Sequence, residues 1–189
     1  MGKNGCLGWH PLRIVKGCRS WGHFDWRLLC KATPTWVRRK RGHLKQEIGR
    51  SRGGLTTKIH AVVDALGNPL RILLTGGNVH DISPAPRLIS GLFADFVLAD
   101  KAYDAQAFIE AACSQGSHVV IPPRSNRREQ RYYDRHIYKE RHLIECFFAK
   151  LKGYRRIATR YEKLSETFKA AVMIAACLVW LQWLFGNSP

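Results

Sequence analysis

The ionisable side chains with the most suggestive spacing lie in HIYKERHLIECFFAKLK, residues 136–152. Tyr138, Arg141, Glu145 and Lys152 are separated by 3, 4 and 7 residues. At 100° per residue of an α-helix, these four positions fall within about 60° of arc and share one face. Two interpretations of that face are open: a solvated surface with an Arg141–Glu145 ion pair at i,i+4, or a polar stripe directed at a cleft.

The opposite side of this predicted helix is apolar. Burial of that side would fix the rotation of the helix and so direct the polar residues outward. The apolar positions are Leu143, Ile144, Phe147, Phe148 and Leu151.

A further carboxylate ends a short apolar run, FVLAD, at Asp100. The run predicts a buried strand, although an acid after a strand is ordinarily a loop or cap residue. Around it, residues 55–77 predict a hairpin turning at Asp64–Asn68. DISPAPRLISGLF predicts a short helix capped by Asp81, and DAQAFIEAACSQG predicts a helix capped by Asp104 and ending at Gly116. The order β-β-α-β-α-β-α-α indicates an α/β domain with a mixed sheet flanked by helices.

Charge narrows the class of partner. The 31 Lys and Arg residues against 14 Asp and Glu give a formal charge of +17. This excess favours a polyanion, with nucleic acid ahead of a membrane surface. The six cysteines form no C-x-x-C pair, which argues against a zinc site. The apolar segment 169–185 contains Gln182 and is short for a bilayer, so we predict a core helix there.

The chain changes character near residue 46. Residues 1–43 have no sustained hydrophobic period and contain one acid, Asp25. We therefore divide the chain into an irregular basic segment, residues 1–46, and a folded domain, residues 47–189. The basic GRSRGG stretch, with Arg50 and Arg52, opens this domain.

The spacing Tyr-x2-Arg-x3-Glu-x6-Lys, together with GRSRGGLTTKIHAVVDALGNP and LADKAYDA, resembles the DDE transposases of bacterial insertion sequences. The resemblance extends over residues 47–184. It implies an RNase H-like fold in which Asp100 is the second and Glu145 the third of three catalytic, metal-binding carboxylates. Two Mg²⁺ ions held there would drive DNA cleavage and strand transfer.

The same resemblance implies the DNA contacts. Tyr138, Arg141 and Lys152 would bind the transposon end, and Arg50 and Arg52 would grip backbone phosphates or lie in a solvated loop. The implied partners are transposon ends and target DNA, with a homodimer on the DNA. The implied location is the bacterial cytoplasm, at the nucleoid, with no membrane.

The sequence of this chain has no clear counterpart of the family's first catalytic carboxylate. Asp25 is followed by Trp26 and Arg27, where the family has Ser or Gly and Thr. Codons for residues 25–42, read one nucleotide later, permit a family-like Gly-Asp-Ser-x-Val-Arg-x-His. We therefore hypothesise that residues 1–46 are translated out of frame and that the domain lacks its native first strand, which would leave it unstable and its central edges open.

Two functions follow from this reading. One is a transposase domain that is defective in this chain, so that enzymatic activity is uncertain. The alternative is a non-catalytic DNA-binding remnant that binds element ends or interferes with intact transposase. A general basic coat-like protein would instead bind nucleic acid without preference for end sequences.

Overall fold

The computed structural model describes residues 27–37, 46–52, 54–128 and 130–186. Within these ranges, seven strands form one mixed sheet. The strands are β1 (Arg27–Val37), β2 (Gly49–Ser51), β3 (Gly54–Val63), β4 (Pro69–Gly76), β5 (Phe96–Ala99), β6 (His118–Val120) and β7 (Thr159–Arg160).

Strand β1 lies in the middle of the sheet. It pairs antiparallel with β3, and β3 pairs antiparallel with β4 and, at its beginning, with β2. On its other edge β1 pairs parallel with β5 and β7, and β6 lies parallel beyond β5. The sheet is thus antiparallel on one side of β1 and parallel on the other, as the predicted mixed sheet requires.

The strand at Arg27–Val37 differs from our expectation of an irregular segment up to residue 46 and of open central edges. Backbone pairing accounts for the difference. Both β3 and β5 offer N–H and C=O groups along the edges that face β1, which pairs with β3 over Leu29–Trp36 and with β5 over Arg27–Cys30. This pairing uses backbone N–H and C=O groups rather than side chains, so residues 27–37 can form a strand although they show no hydrophobic period.

Helices cover both faces of the sheet. Strand residues alternate between these faces, so Val97 packs with Leu88 and Phe108 in one apolar cluster, whereas Leu98 packs with Phe147 in the other. The sheet is therefore the middle layer of three. The helices are α1 (Ala85–Ile89), α2 (Gln106–Ser114), α3 (Arg135–Tyr138), α4 (His142–Gly153), α5 (Arg155–Ala158) and α6 (Ser165–Gly186).

Helix α6 contains the apolar segment that we predicted to be a core helix. Phe168, Val172 and Val179 are buried in the same cluster as Phe147, and Trp180 Nε1 donates a hydrogen bond to the Pro69 carbonyl oxygen at 2.9 Å. In the part of the chain that the structure describes, α6 is the one helix whose length and composition would suffice to cross a membrane. Its packing against the sheet follows the prediction.

The hairpin between β3 and β4 turns where the sequence predicts. The Asp64 carboxylate accepts hydrogen bonds from the backbone N–H groups of Leu66 and Asn68, both at 2.8 Å. Gly67 has φ +82°, a conformation that side chains with a Cβ disfavour. By contrast, Asp81, which we expected to cap the following helix, forms an ion pair with Lys58 at 2.8 Å.

A buried guanidinium joins distant parts of the chain. Arg160 is fully buried and donates to the Thr57 hydroxyl at 2.7 Å and the Gln46 carbonyl at 2.9 Å. It also donates to the carbonyls of Glu162 and Lys163. These bonds fasten the segment before β2 to the segment before α6 and satisfy a charge that would otherwise be costly to bury.

Candidate active site

Asp100 and Glu145 are 45 residues apart in sequence and meet at one guanidinium group. Arg141 places one terminal nitrogen 3.3 Å from Asp100 Oδ2 and the other 2.9 Å from Glu145 Oε1. The two carboxylate side chains are 36% and 43% exposed, so both are accessible from solvent. The expected i,i+4 pair exists, and Asp100 adds a second carboxylate to it.

Local structure explains this convergence. Asp100 directly follows β5 in extended conformation, with φ −67° and ψ 160°. The predicted long helix is divided into α3, a 3₁₀ turn at Lys139–Arg141 and α4, all of right-handed helical conformation. As predicted, Ile144, Phe147, Phe148 and Leu151 are buried. Their burial fixes the helix with Arg141 and Glu145 turned toward the end of β5.

Tyr138 belongs to the same cluster. The Asp100 charge acts on its hydroxyl, and the Arg141 guanidinium lies 5.6 Å from its ring centroid. Burial raises the pKa of the Tyr138 hydroxyl and the Asp100 charge raises it further, although Arg141 opposes the shift. The hydroxyl therefore stays protonated at neutral pH and acts as a hydrogen-bond donor.

Three of the predicted DNA-binding residues lie outside this cluster. Lys152 is exposed near the end of α4, about 10 Å along the helix axis from Glu145. Arg50, in β2, is exposed and pairs with Leu55 at the start of β3, and Arg52 is exposed in the turn that follows. Along β3, the Arg50 pair lies about 20 Å from the part of the sheet beside Asp100.

The carboxylate pair fits a divalent cation in its chemistry, since Mg²⁺ prefers oxygen ligands and retains several waters. A third acid is not available among the described residues, where no three His, Cys, Asp or Glu side chains gather as ligands. On β1, Cys30 pairs with Ala99, so the backbone position beside Asp100 carries Lys31. Asp25 lies outside the described residues.

The role that the sequence predicted for Asp104, an acid near the site, is wrong. We expected Asp104 to cap α2, but its carboxylate is fully buried and bonds to Arg127 and Arg131 at 2.9 Å each. It also accepts the backbone N–H of Arg124 at 2.8 Å. The signal that could have identified it is an isolated acid followed, some twenty residues on, by the arginine-rich connector 124–135.

The amino-acid sequence matches a known protein family. Residues 30–180 match the family described as Transposase DDE domain, which is more than half of the chain. The chain belongs to this family, whose members depend on divalent cations and act on DNA.

Two relatives specify the class further. A protein named as a transposase for insertion sequence element IS6501 of Brucella ovis is 46% identical over 132 residues, covering 68% of this chain and all of the relative. A protein named as a transposase for insertion sequence element IS402 of Burkholderia cepacia is 30% identical over 156 residues, covering 76% of this chain and 70% of the relative. The chain is thus a transposase of the insertion-sequence type, as the sequence motifs predicted.

Proposed function

We propose that this domain is built for divalent-metal-dependent cleavage and joining of DNA strands, and that the chain as it stands is defective in that reaction. The observation that carries the proposal is the meeting of Asp100 and Glu145 at Arg141. The strand order β4-β3-β1-β5-β6, with β1, β5 and β6 parallel, supports an RNase H-like fold.

In this proposal Asp100 and Glu145 hold Mg²⁺, and the family chemistry would use two such ions. When bound, the cations supply charge stabilisation at the reacting phosphate. The Tyr138 ring packs against the Arg141 guanidinium and so helps to hold it beside both carboxylates. Arg141, already balancing both carboxylates, is available to neutralise a DNA phosphate once cations replace it.

The DNA path follows from the positions of the basic residues. Lys152 is about 10 Å from Glu145 and the Arg50 strand pair is about 20 Å from the position beside Asp100. At 3.4 Å per nucleotide, these separations correspond to about three and six nucleotides. One duplex passing the site could therefore contact Arg50, Arg52 and Lys152 through its backbone. Transposon ends and target DNA are the proposed substrates, with two chains acting as a homodimer on the DNA of the bacterial nucleoid.

A specific observation favours a second candidate function. Lys31, rather than an acid, occupies the β1 position beside Asp100, so the described residues supply two carboxylates where the reaction calls for three. The alternative is a non-catalytic remnant that binds element ends or interferes with intact transposase.

A gel-shift with element ends, run beside a Mn²⁺- or Mg²⁺-dependent nicking assay, separates the two candidates. Binding without nicking identifies the remnant. Nicking that disappears in Asp100→Asn and in Glu145→Gln identifies the enzyme. Asp95→Asn, which changes an acid just before β5, is the matched control and should behave like the parent chain.

The missing carboxylate can be tested by gain of function. If its absence causes the defect, Lys31→Asp should increase divalent-cation affinity and introduce nicking that again requires Asp100. Unchanged cation affinity in Lys31→Asp would contradict this explanation. The out-of-frame hypothesis for residues 1–46 is tested separately, by looking for an Asp-Ser-x-x-Arg pattern in the plus-one frame of the gene.

A further inference from the structure

Tyr132 is the most exposed large hydrophobic side chain among the described residues, at 94%. A single exposed aromatic residue is common on protein surfaces and by itself indicates nothing. The surroundings of Tyr132 distinguish it, because the residues on both sides of it are held in place while its own ring is left in solvent.

On the N-terminal side, the connector is held by a buried acid. The Arg131 guanidinium bonds to the buried Asp104 carboxylate at 2.9 Å, and Arg127 bonds to its other oxygen at the same distance. Each is a charge-assisted bond to a desolvated carboxylate, which is stronger than a surface ion pair. The backbone immediately before Tyr132 is therefore fixed.

On the C-terminal side, the chain is held by the candidate active site. The Tyr133 ring packs edge-on against the Tyr138 ring, with 5.5 Å between centroids, and the Tyr138 ring lies 5.6 Å from the Arg141 guanidinium that pairs with Asp100. Asp134 then caps α3 by accepting the backbone N–H groups of His136 and Ile137. Tyr132 thus lies between two anchored neighbours, one of which contacts the cluster around Asp100.

The charged residues near Tyr132 indicate which kind of ligand its ring would bind. Residues 124–135 contain five arginines and two acids. Arg128 and Arg135 are exposed, one on each side of the ring along the chain. An aromatic ring flanked by arginines suits a strand of nucleic acid, because the guanidinium groups neutralise phosphates while a base stacks on the ring.

We infer that Tyr132 is a stacking platform for an unpaired nucleobase of the DNA strand that passes the Asp100–Glu145 cluster. The inference rests on the proposed function, since it assumes that DNA is bound at this face. A base can offer its whole face only after leaving the duplex stack, so the platform selects opened or single-stranded DNA over intact duplex. Because its neighbours are anchored, little ordering of the platform opposes binding.

Binding of the full chain to single-stranded oligonucleotides carrying 2-aminopurine tests this inference, because stacking on an aromatic ring quenches the fluorescence of that base. Tyr132→Ala should weaken single-strand binding by about 5- to 150-fold and remove the quenching. Binding to intact duplex should change less than about twofold. Tyr132→Phe, which keeps the ring without the hydroxyl, should retain both the affinity and the quenching.

Phe93→Ala is the matched control, since Phe93 is also strongly exposed, at 80%, but lies between α1 and β5. It should bind like the parent chain. Equal losses in Tyr132→Phe and Tyr132→Ala would indicate a phosphate contact by the hydroxyl and overturn the inference, as would unchanged single-strand binding in Tyr132→Ala. Failure of the proposed function gives a different result from failure of this inference. It would appear as cation binding that Asp100→Asn does not change, whatever the Tyr132 variants do.

Discussion

Asp100 and Asp104 are four residues apart, and both meet arginine side chains, yet their surroundings differ. Asp100 is 36% exposed and shares one guanidinium with Glu145. Asp104 is fully buried and bonds to two guanidinium groups and a backbone N–H. The comparison shows that burial, more than residue type, separates an acid that can exchange partners from an acid that cannot. The exposed Asp100 carboxylate is suited to binding a cation, and the buried Asp104 carboxylate to stabilising the fold.

Replacement of the buried acid should lower the stability of the fold more than any other substitution described below. Asp104→Asn leaves two guanidinium groups without their counter-charge, and breaking such a pair costs about 3–5 kcal/mol of unfolding free energy. The midpoint of thermal unfolding should fall by roughly 10 °C. Circular dichroism melting of Asp104→Asn beside Asp100→Asn measures the contrast. Equal midpoints for the two variants would show that the buried and the exposed acid contribute alike to stability.

Burial also predicts an acid-sensitive step at His60. The ring is fully buried, and this burial lowers its pKa from 6.5 to about 4, with Asp81 opposing the shift and Lys58 adding to it. Since the unfolded chain binds the proton more readily, stability is complete above pH 6.5 and decreases as the pH falls toward 4. The loss approaches about 3 kcal/mol.

Urea unfolding between pH 7 and pH 4 measures this loss. His60→Gln should remove most of the pH dependence. His136→Gln, at an exposed position in α3, should leave it unchanged. A parent chain whose unfolding free energy does not fall over this pH range would show that His60 is not held neutral.

The exposed acid should matter for cations and hardly for stability. Asp100→Asn and Glu145→Gln should each weaken Mn²⁺ binding, measured by isothermal titration calorimetry, by about 10- to 100-fold. Their unfolding free energies should change by less than about 1 kcal/mol, because partly exposed ion pairs contribute little. A melting midpoint lowered as far as in Asp104→Asn would show that Asp100 stabilises the fold as Asp104 does.

Replacement of Arg141, whose guanidinium contacts both carboxylates, should change cation affinity least. Arg141→Gln removes the positive charge between the two carboxylates, so Mn²⁺ affinity should rise by about 3- to 10-fold, while binding to element ends should weaken. Arg135→Gln, an exposed arginine in α3, should leave Mn²⁺ affinity unchanged. Reduced Mn²⁺ affinity in Arg141→Gln would mean instead that the guanidinium positions the carboxylates.

Local patterns predicted much of this molecule. The turn at Asp64, the end of α2 before Gly116 and the buried side of α4 each depend on neighbours within about one or two helical turns, so sequence spacing was sufficient. The strand at Arg27–Val37 depends on edges supplied by β3 and β5, which no local period reveals.

The same distinction holds at the site. The motif spacing identified Glu145 and its Arg141 partner, and the resemblance selected Asp100. The partners of Asp104 could not be read locally, because Arg131 is 27 residues away and only the folded chain brings the two together. Arg160 was missed for the same reason, since burial of an arginine depends on acceptors gathered from several segments.

The hydrogen bonds of the Arg160 guanidinium can form only late in the synthesis of the chain. The Gln46 carbonyl that accepts from its guanidinium is made 114 residues earlier. At about 5–20 residues per second, the ribosome needs roughly 6–23 s to reach the arginine after making that acceptor. During that interval the segment at Gln46 lacks this hydrogen bond. We therefore expect a nascent chain stalled before residue 160 to bind chaperones more strongly than the finished protein does.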